Sequence, residues 1–286
     1  MNFLISNDDG VHAPGLLALY RALSKIGNVK VVAPDTEQSG CASAIHISKP
    51  LYTQETSLGF VALNGSPADC IYLALHELYR DICFDCVITG INSGANLGQD
   101  VLYSGTFGAA LTAQVFGVPA IATSLVGGAI TDNVEDEASP YRMAAAEIVR
   151  IITETNILTE LNDLPYHVLN VNIPDVKCAT DIQGRKITCL GHERIAKPVH
   201  HVTDPRGRDA YWLSLRKAKN ESLEIPSASK TALELSTANN QQRNNQDITH
   251  NDTDIQAIAA GFISLSPVKL AHTPRATLDK LSSLIK

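Results

Sequence analysis

The chain has 286 residues, of which 44% are hydrophobic and 19% are charged, and its formal net charge at pH 7 is −7. This length and composition fit a globular protein with one large domain, or one domain with an appendage. A mildly acidic chain lacks the basic surface that nucleic-acid duplexes and anionic membranes attract, so we expect it to bind neither.

The first half of the chain alternates strand and helix patterns. The apolar run at 2–6 predicts a strand, and Pro14 opens an amphipathic helix that ends at Gly27. Further strands are predicted at 30–33, 85–89, 119–124 and 167–172. Further helices are predicted at 67–79, 105–116 and 140–155. Apolar strands that alternate with helices are typical of a parallel sheet covered on both faces. We therefore predict a doubly wound α/β core over residues 1–175.

An uncharged stretch at 105–130 is long enough to cross a bilayer. Gln114, several Ser and Thr residues and the pair Val118-Pro119 interrupt its apolar character. We therefore predict a buried helix, a turn at Gly117 and a buried strand instead of a membrane span.

The pattern changes after Pro174. Strands predicted at 186–190, 211–215 and 262–266 are separated by long loops, which indicates an antiparallel, β-rich C-terminal extension over 176–286. A short helix is predicted at 275–286. The segment 217–252 contains "NNQQRNNQD" and has little apolar periodicity, a composition typical of a flexible insertion.

Six cysteines are scattered through the chain, and Cys83 and Cys86 form a lone CxxC. No second CxxC is present to complete a zinc site, so we predict that this pair consists of plain buried thiols. The N-terminus shows no basic region followed by an apolar core, so no signal peptide is apparent. We expect reduced cysteines in a cytoplasmic protein.

Polar motifs follow three of the predicted strands: "NDDG", "APDTEQSG" and "GINSGANLG". Ligands of an open parallel sheet bind outside the carboxyl ends of its strands, so these loops are expected to face one crevice. A turn at Gly10 can bring both Asp8 and Asp9 inward. Two close carboxylates need a compensating cation, and a hard divalent metal favours oxygen ligands. The alternative is that Asp8 or Asp9 caps a helix or makes an Asx turn.

The later loops contain residues suited to a metal and to an anion. Asn92 and Asn96 lie in a glycine-rich loop, where asparagine offers an oxygen to a metal and amide hydrogens to an anion. The motif "YSGT" at 103–106 precedes an apolar helix, whose N-terminus offers hydroxyls and free N–H groups to an anion. The alternative is simple N-capping by Ser104. A metal beside an anion site indicates phosphate-ester chemistry.

Seven stretches, in this order and over nearly the whole chain, resemble the SurE (survival protein E) family of metal-dependent nucleotidases. They are "SNDDGVHAPG" from Ser6, "VVAPDTEQSGCAS" from Val31, "GSPADC" from Gly65, "GINSGANLG" from Gly90, "YSGTFGAA" from Tyr103, "DPRG" from Asp204 and "TDIQAIAAGFISLSP" from Thr253. The first, fourth and fifth together are very specific to the family.

The resemblance implies one divalent metal ion per subunit, Mg²⁺ or Mn²⁺, bound by oxygen ligands. These ligands are Asp8, Asp9, Ser39 and Asn92. It also implies phosphate contacts from Asn96, Ser104, Gly105 and Thr106. The implied fold is a Rossmann-like core, and the implied C-terminal extension is exchanged between subunits in a homodimer or homotetramer. The insertion is longer than usual, and "PVKLAHT" stands where some relatives have "PLHVDLT", so the subunit contacts can differ from those of the family.

The leading hypothesis is a metal-dependent phosphomonoesterase that releases phosphate from nucleoside 5′-monophosphates, and also from 3′-monophosphates and short polyphosphate. Asp8 or Asp9 would accept the proton of the attacking water, and the sequence does not distinguish them. The alternative is a non-catalytic nucleotide-binding or sensing module. The carboxylate pair favours the enzyme, because a pure anion binder gains nothing from two negative groups.

We predict that the insertion at 217–252 is mobile, sensitive to proteases and dispensable for hydrolysis of a mononucleotide. Its composition cannot bury enough apolar surface to offset an ordering entropy of about 1–2 kcal/mol per residue. Limited proteolysis should cut it first, and a chain with 238–250 replaced by a short Gly/Ser link should keep its turnover. A shortened protein that folds and keeps its oligomeric state, yet loses turnover, would contradict this prediction.

Overall fold

The structure is a computed structural model that describes residues 1–129, 132–176, 178–192, 199–214, 252–269 and 282. Its strands are β1 (Asn2–Ser6), β2 (Asn28–Pro34), β3 (Thr53–Glu55), β4 (Val61–Leu63), β5 (Cys86–Ser93), β6 (Ala120–Leu125), β7 (His167–Ile173), β8 (Arg185–Ile187), β9 (Val199–Thr203), β10 (Asp209–Leu213) and β11 (Ile263–Lys269). Its α-helices are α1 (Pro14–Leu23), α2 (Pro67–Leu73), α3 (Gly105–Val115), α4 (Pro140–Glu154), α5 (Ile157–Asn162) and α6 (Asp254–Ala259). A π-helical turn at Ala74–Leu78 and 3₁₀ turns at Gly98–Leu102 and Ala179–Asp181 complete the described elements.

A mostly parallel sheet forms the centre of the molecule. Over the described ranges it has nine strands in the order β3-β4-β2-β1-β5-β6-β7-β11-β8. The six consecutive strands from β4 to β7 in this order are all parallel to their neighbours. β3 is antiparallel to β4, and β11 is antiparallel to β7. This arrangement confirms the predicted Rossmann-like α/β fold.

Helices cover both faces of the sheet, because the central strands are apolar on both sides. In β1, Phe3 and Ile5 belong to one apolar cluster and Leu4 belongs to the other, as the two-residue period of a strand requires. α1 and α4 pack in the first cluster, whereas α2 and α3 pack in the second. The two clusters hold the carboxyl ends of β1, β2 and β5 at one edge of the molecule.

Local sequence signals explain where several helices begin. Pro14, Pro67 and Pro140 each occupy the first turn of a helix, where a missing N–H costs nothing. Ser66 and Asp69 form a capping box, in which each side chain accepts a backbone N–H of the other residue. These signals account for the close agreement between the predicted and observed starts of α1, α2 and α4.

Some predicted elements differ from the structure. The helix predicted at 67–79 ends its α-helical part at Leu73 and continues as the π-helical turn. The strands predicted at 186–190 and 211–215 are found slightly earlier, as β8 and β10. The prediction missed the short elements β3, β4, α5, β9 and α6, which have too few residues to show a clear period.

The uncharged stretch forms α3 and β6, as predicted. In the part of the chain that the structure describes, no helix is long and apolar enough to cross a membrane. The cysteine prediction is correct for Cys86, which is buried, and wrong for Cys83, which is exposed. Cys83 lies in the connection before β5 and therefore does not share the strand's burial.

The segment after residue 175 contributes to the same sheet as the core. β11 pairs antiparallel with β7 on one side and parallel with β8 on the other, so the predicted antiparallel arrangement is wrong for the pair of β8 and β11. β9 and β10 form a separate antiparallel two-stranded sheet. The predicted insertion at 217–252, apart from Asp252, and the predicted helix at 275–286, apart from Ser282, lie outside the described residues. The division of the chain at 175 stays a prediction.

Gly15 provides a test of how closely α1 approaches β5. Alanine in place of glycine usually stabilises a helix by about 0.5–1 kcal/mol. A Cβ at Gly15, however, would lie 2.0 Å from the backbone oxygen of Ile91 and 3.0 Å from Tyr141 Cε1. We therefore predict that Gly15→Ala lowers the free energy of unfolding, by about 1–3 kcal/mol, in urea denaturation.

The control for this variant is Gly117→Ala. Gly117 has a φ of +78° and no other atom within 4 Å of a Cβ, so alanine there meets only the backbone cost. That cost is about 1 kcal/mol. A Gly15→Ala protein as stable as the wild type would show that α1 can move away from β5.

Candidate active site

The three predicted polar loops lie at one edge of the sheet. β1 lies between β2 and β5 and is parallel to both, so the carboxyl ends of the three strands are neighbours. Asp8 and Asp9 follow β1, Ser39 follows β2, and Asn92 lies at the end of β5. The backbone N–H of Gln38 donates to the Asp8 carbonyl oxygen over 2.7 Å, which fixes the second loop to the first.

Asp8 lies against the N-terminus of α3. The Thr106 hydroxyl donates a hydrogen bond to Asp8 Oδ1, and backbone N–H groups of Gly105 and Thr106 also favour the charged carboxylate. Asp8 is only 4% exposed, and burial outweighs these contacts, so its pKa is raised above the ordinary value. A Cβ at Gly105 would lie 2.8 Å from Asp8 Cβ, so only glycine permits this close approach.

Asp9 is partly buried beside Asp8. Its Oδ2 accepts the backbone N–H of Ser93 over 3.0 Å, which connects it to β5. Burial, together with the negative charge of Asp8, raises the pKa of Asp9 to about 6. The two carboxylates therefore repel each other in a crevice that removes much of their hydration.

Asn92 brings another oxygen to the same place. Its Nδ2 donates to the Gly94 carbonyl oxygen over 2.9 Å, which orients the amide. Its Oδ1 lies 3.2 Å from Thr106 Oγ1, the same hydroxyl that donates to Asp8. One hydroxyl has a single proton and cannot donate fully to two acceptors. The Asp8 and Asn92 oxygens therefore lie close together, and they can accept more hydrogen bonds than Thr106 donates.

Ser39 is positioned differently from the other three proposed ligands. Its side chain is exposed, and its hydroxyl donates to Glu37 Oε1 over 2.7 Å. The loop that carries it reaches Asp8 through Gln38, but the Ser39 hydroxyl itself is engaged by Glu37.

Three of the four proposed phosphate contacts lie at the start of α3, and Asn96 lies beside β6 and β7. Ser104 is the N-cap of α3, and its Oγ accepts the Phe107 backbone N–H over 3.0 Å. Thr106 is buried, with its hydroxyl directed at Asp8. Asn96 is 7% exposed, and its Nδ2 donates to Ser124 Oγ over 2.9 Å. The capping role of Ser104, which the sequence left open, is thus present in this structure.

Two asparagines of β7 support the loop that carries Asn96. Asn172 Oδ1 accepts the Asn96 backbone N–H over 2.9 Å, and Asn170 and Asn172 both donate to the Asn96 carbonyl oxygen. Both side chains are fully buried. Neither asparagine was predicted from the sequence, although two asparagines spaced by two in the apolar run "HVLNVNI" are a signal of buried polar contacts.

Cys41 also lies beside this crevice. Its Sγ would be 2.9 Å from a Cβ at Gly105. Burial, together with the charge of Asp8, raises the pKa of the Cys41 thiol to about 11. The thiol therefore stays protonated at neutral pH, which makes Cys41 a poor nucleophile.

The donor atoms of this crevice suit a hard cation. They are carboxylate and amide oxygens, which are the ligands that Mg²⁺ and similar ions prefer. In the described ranges, no three His, Cys, Asp or Glu residues come together as a metal-binding group, so a softer site of the zinc type is not found there. A divalent cation would also relieve the repulsion between Asp8 and Asp9.

Comparison with known proteins agrees with the geometry. The family model described as "Survival protein SurE" matches residues 3–197. The chain is 62% identical to a protein of Psychrobacter cryohalolentis and 40% identical to one of Acinetobacter baylyi, and both relatives carry the name 5′-nucleotidase SurE. Both alignments cover 100% of each chain. The solved structure of the SurE protein from Aquifex aeolicus is 29% identical, has a TM-score of 0.75 and is matched over 100% of both chains.

The raised pKa of Asp9 predicts a stability change in protein stripped of divalent ions. Between the ordinary carboxyl pKa of 3.8 and about 6, the folded state holds a proton on Asp9 that the unfolded state has lost. Stability contributed by this group therefore falls as pH rises through that range. We predict that Asp9→Asn raises the free energy of unfolding at pH 7.5 by about 1–3 kcal/mol, with a much smaller difference at pH 4.

Urea denaturation in the presence of a chelator at both pH values measures this effect. The matched control is Asp81→Asn, which removes an exposed carboxylate far from the crevice and should change stability little at either pH. An Asp9→Asn protein that is no more stable than the wild type at pH 7.5 would contradict the proposed repulsion.

Proposed function

This chain belongs to the SurE family, and we propose that it is a 5′-nucleotidase that hydrolyses nucleoside 5′-monophosphates to nucleoside and phosphate. The observation that carries this proposal is the convergence of Asp8, Asn92 and Thr106 at the N-terminus of α3. Carboxylate and amide oxygens for a cation and the positive end of a helix dipole for an anion lie together there, which is the combination that a phosphate monoester needs.

Asp8, Asp9 and Asn92 would hold one divalent cation, Mg²⁺ or Mn²⁺, and Ser39 would join them if its hydroxyl left Glu37. When bound, the cation would neutralise charge on the phosphoryl oxygens and lower the pKa of a water molecule. Asp8 is fixed by the Thr106 hydroxyl and Asp9 by the Ser93 N–H, so the two carboxylates are oriented before the substrate arrives.

The start of α3 would bind the phosphate. The positive end of the helix dipole attracts an anion. In this structure the Gly105 and Thr106 N–H groups favour the Asp8 carboxylate and Ser104 Oγ accepts the Phe107 N–H, so a phosphate would replace these acceptors. Ser104 caps this turn. β7 holds the backbone of Asn96, and Ser124 Oγ accepts its side-chain amide. A phosphate held in this way would present the phosphorus atom to water in a fixed orientation.

Asp9 is our candidate for accepting the proton of the attacking water. It is more exposed than Asp8, and its Oδ2 receives a neutral N–H, whereas Asp8 is enclosed by α3. Asp8 then serves mainly to hold the cation. Removal of either carboxylate should therefore abolish turnover.

Several finer properties belong to the same proposal. We propose activity on 3′-monophosphates and short polyphosphate, a cytoplasmic location, and a homodimer or homotetramer. The exposed apolar side chains of β10 support an assembly, since Tyr211, Trp212 and Leu213 are 63%, 70% and 83% exposed. Contacts through β9 and β10 would cover this surface.

A phosphate-release assay tests the proposal. The purified protein should release inorganic phosphate from AMP, GMP or CMP in the presence of Mg²⁺ or Mn²⁺, and a chelator should stop the reaction. Asp8→Asn should lose at least about 100-fold in kcat while remaining folded. Asn92→Ala should need more metal for half-maximal activity and recover partly in excess metal.

The matched control is Asn162→Ala, which removes an exposed amide on α5 and should leave the kinetics unchanged. Release no higher than the blank with every divalent ion would favour the alternative, a nucleotide-binding or sensing module. Near-native activity of Asp8→Asn would show that the site is assigned wrongly.

A further inference from the structure

Asp254 is far in sequence from the residues of the crevice, but its side chain binds the loop that follows Asn96. Asp254 is fully buried and is the first residue of α6. Its Oδ2 accepts the backbone N–H of Gly98 over 2.7 Å. Its Oδ1 accepts the backbone N–H of Gly191 over 2.7 Å and that of Ile255 over 2.9 Å. One carboxylate therefore joins three segments of the chain.

Gly98 lies in the sequence between Asn96 and Ser104, two of the proposed phosphate contacts. Asn96 stands two residues before it, and Tyr103 alone separates Ser104 from the 3₁₀ turn that Gly98 begins. β7 holds this loop at Asn96 through the side chains of Asn170 and Asn172. Asp254 holds the same loop at Gly98, so the loop is fixed at two points.

The segments that carry Gly98 and Gly191 lie close together. Gly98 has a φ of +55°, and a Cβ there would lie 2.5 Å from the backbone oxygen of Gly191. A movement of the segment around Gly191 or of α6 would therefore push directly on Gly98. The buried carboxylate of Asp254 prevents such movement by binding both N–H groups at once.

Burial of a carboxylate is costly unless hydrogen bonds replace its hydration. The three N–H groups supply that replacement. An asparagine of the same shape has only one acceptor oxygen and could not bridge Gly98 and Gly191 in the same way. The need for two acceptors explains a carboxylate at this position better than helix capping does, because Thr253 already caps α6 through the Gln256 N–H.

We propose that Asp254 is a positioning residue of the phosphate-binding loop, acting through Gly98 on the placement of Asn96 and Ser104. This proposal rests on the proposed phosphatase function, because it concerns the same phosphate site. Asp254 does not touch the substrate. The competing explanation is that Asp254 merely stabilises α6 and its contact with the sheet.

The test compares Asp254→Asn with Thr253→Ala. Thr253→Ala removes the N-cap of the same helix without touching Gly98, so it reports the effect of a weakened α6 alone. For both variants we would measure kcat and KM for AMP, the inhibition constant of inorganic phosphate, the Mn²⁺ affinity and the melting temperature.

Positioning predicts that Asp254→Asn raises KM and the phosphate inhibition constant about 10-fold, with unchanged Mn²⁺ affinity. Thr253→Ala should lower the melting temperature yet leave both constants within a factor of two of the wild type. A folded Asp254→Asn protein with wild-type KM and phosphate inhibition would overturn the proposal. Equal changes in the two variants would also overturn it, since α6 stability would then explain them.

Two further measurements separate this proposal from its premise. If the wild type shows no turnover, calorimetric binding of inorganic phosphate to the same variants tests Asp254 independently of catalysis. If Asp254→Asn does not fold, hydrogen exchange in the wild type decides the question. Saturating phosphate should slow exchange of the Gly98 amide at least about threefold more than exchange at α5, and an equal effect at both places would overturn the proposal.

Discussion

The burial of two adjacent carboxylates in one crevice is the constraint on which the site depends. Asp8 and Asp9 lose hydration together, and the pKa of each is raised in consequence. The surrounding structure compensates with donors: the Thr106 hydroxyl and the start of α3 at Asp8, and the Ser93 N–H at Asp9. Gly105 is required because the helix must approach Asp8 closely enough for these donors to act. The unfavourable pair thus explains the composition of the nearby loops, and it is the reason that we propose a cation there.

The order of the strands brings these donors together. β1 is central and lies between β2 and β5, so its carboxyl end is bordered by loops from both neighbours. α3 follows β5 and begins at the same edge, which places an anion-attracting helix end beside two negative side chains. In a protein that only binds an anion, the two negative side chains would repel that anion. In an enzyme that must hold a cation and a phosphate together, the same side chains can bind the cation. The family of this chain fits that chemistry.

The sequence predicted the elements with strong periodicity and the residues with unusual local motifs. α4, β1, β6 and β7 were predicted nearly at their observed bounds, because proline starts and apolar runs are local signals. α1 ends four residues before the predicted end, and β5 continues four residues beyond it. The clustering of the loops that carry Asp8, Asp9 and Asn92 was also expected, whereas the hydroxyl of Ser39 is engaged by Glu37. The supporting contacts could not be predicted, since they join residues 84, 98 and 156 positions apart. Such contacts depend on the packing of the whole sheet, about which a local pattern carries no information.

The position of β11 has a consequence for the order in which the protein is made. β11 lies between β7 and β8 instead of at the edge of the sheet, although it is the last described strand of the chain. While the ribosome is still translating, β7 therefore has an open edge that remains uncovered until residues 263–269 have emerged. An open edge of this kind can pair with another nascent chain. Synthesis of the first two-thirds of the protein thus supplies the other described strands of this sheet and leaves one edge that β11 has yet to cover.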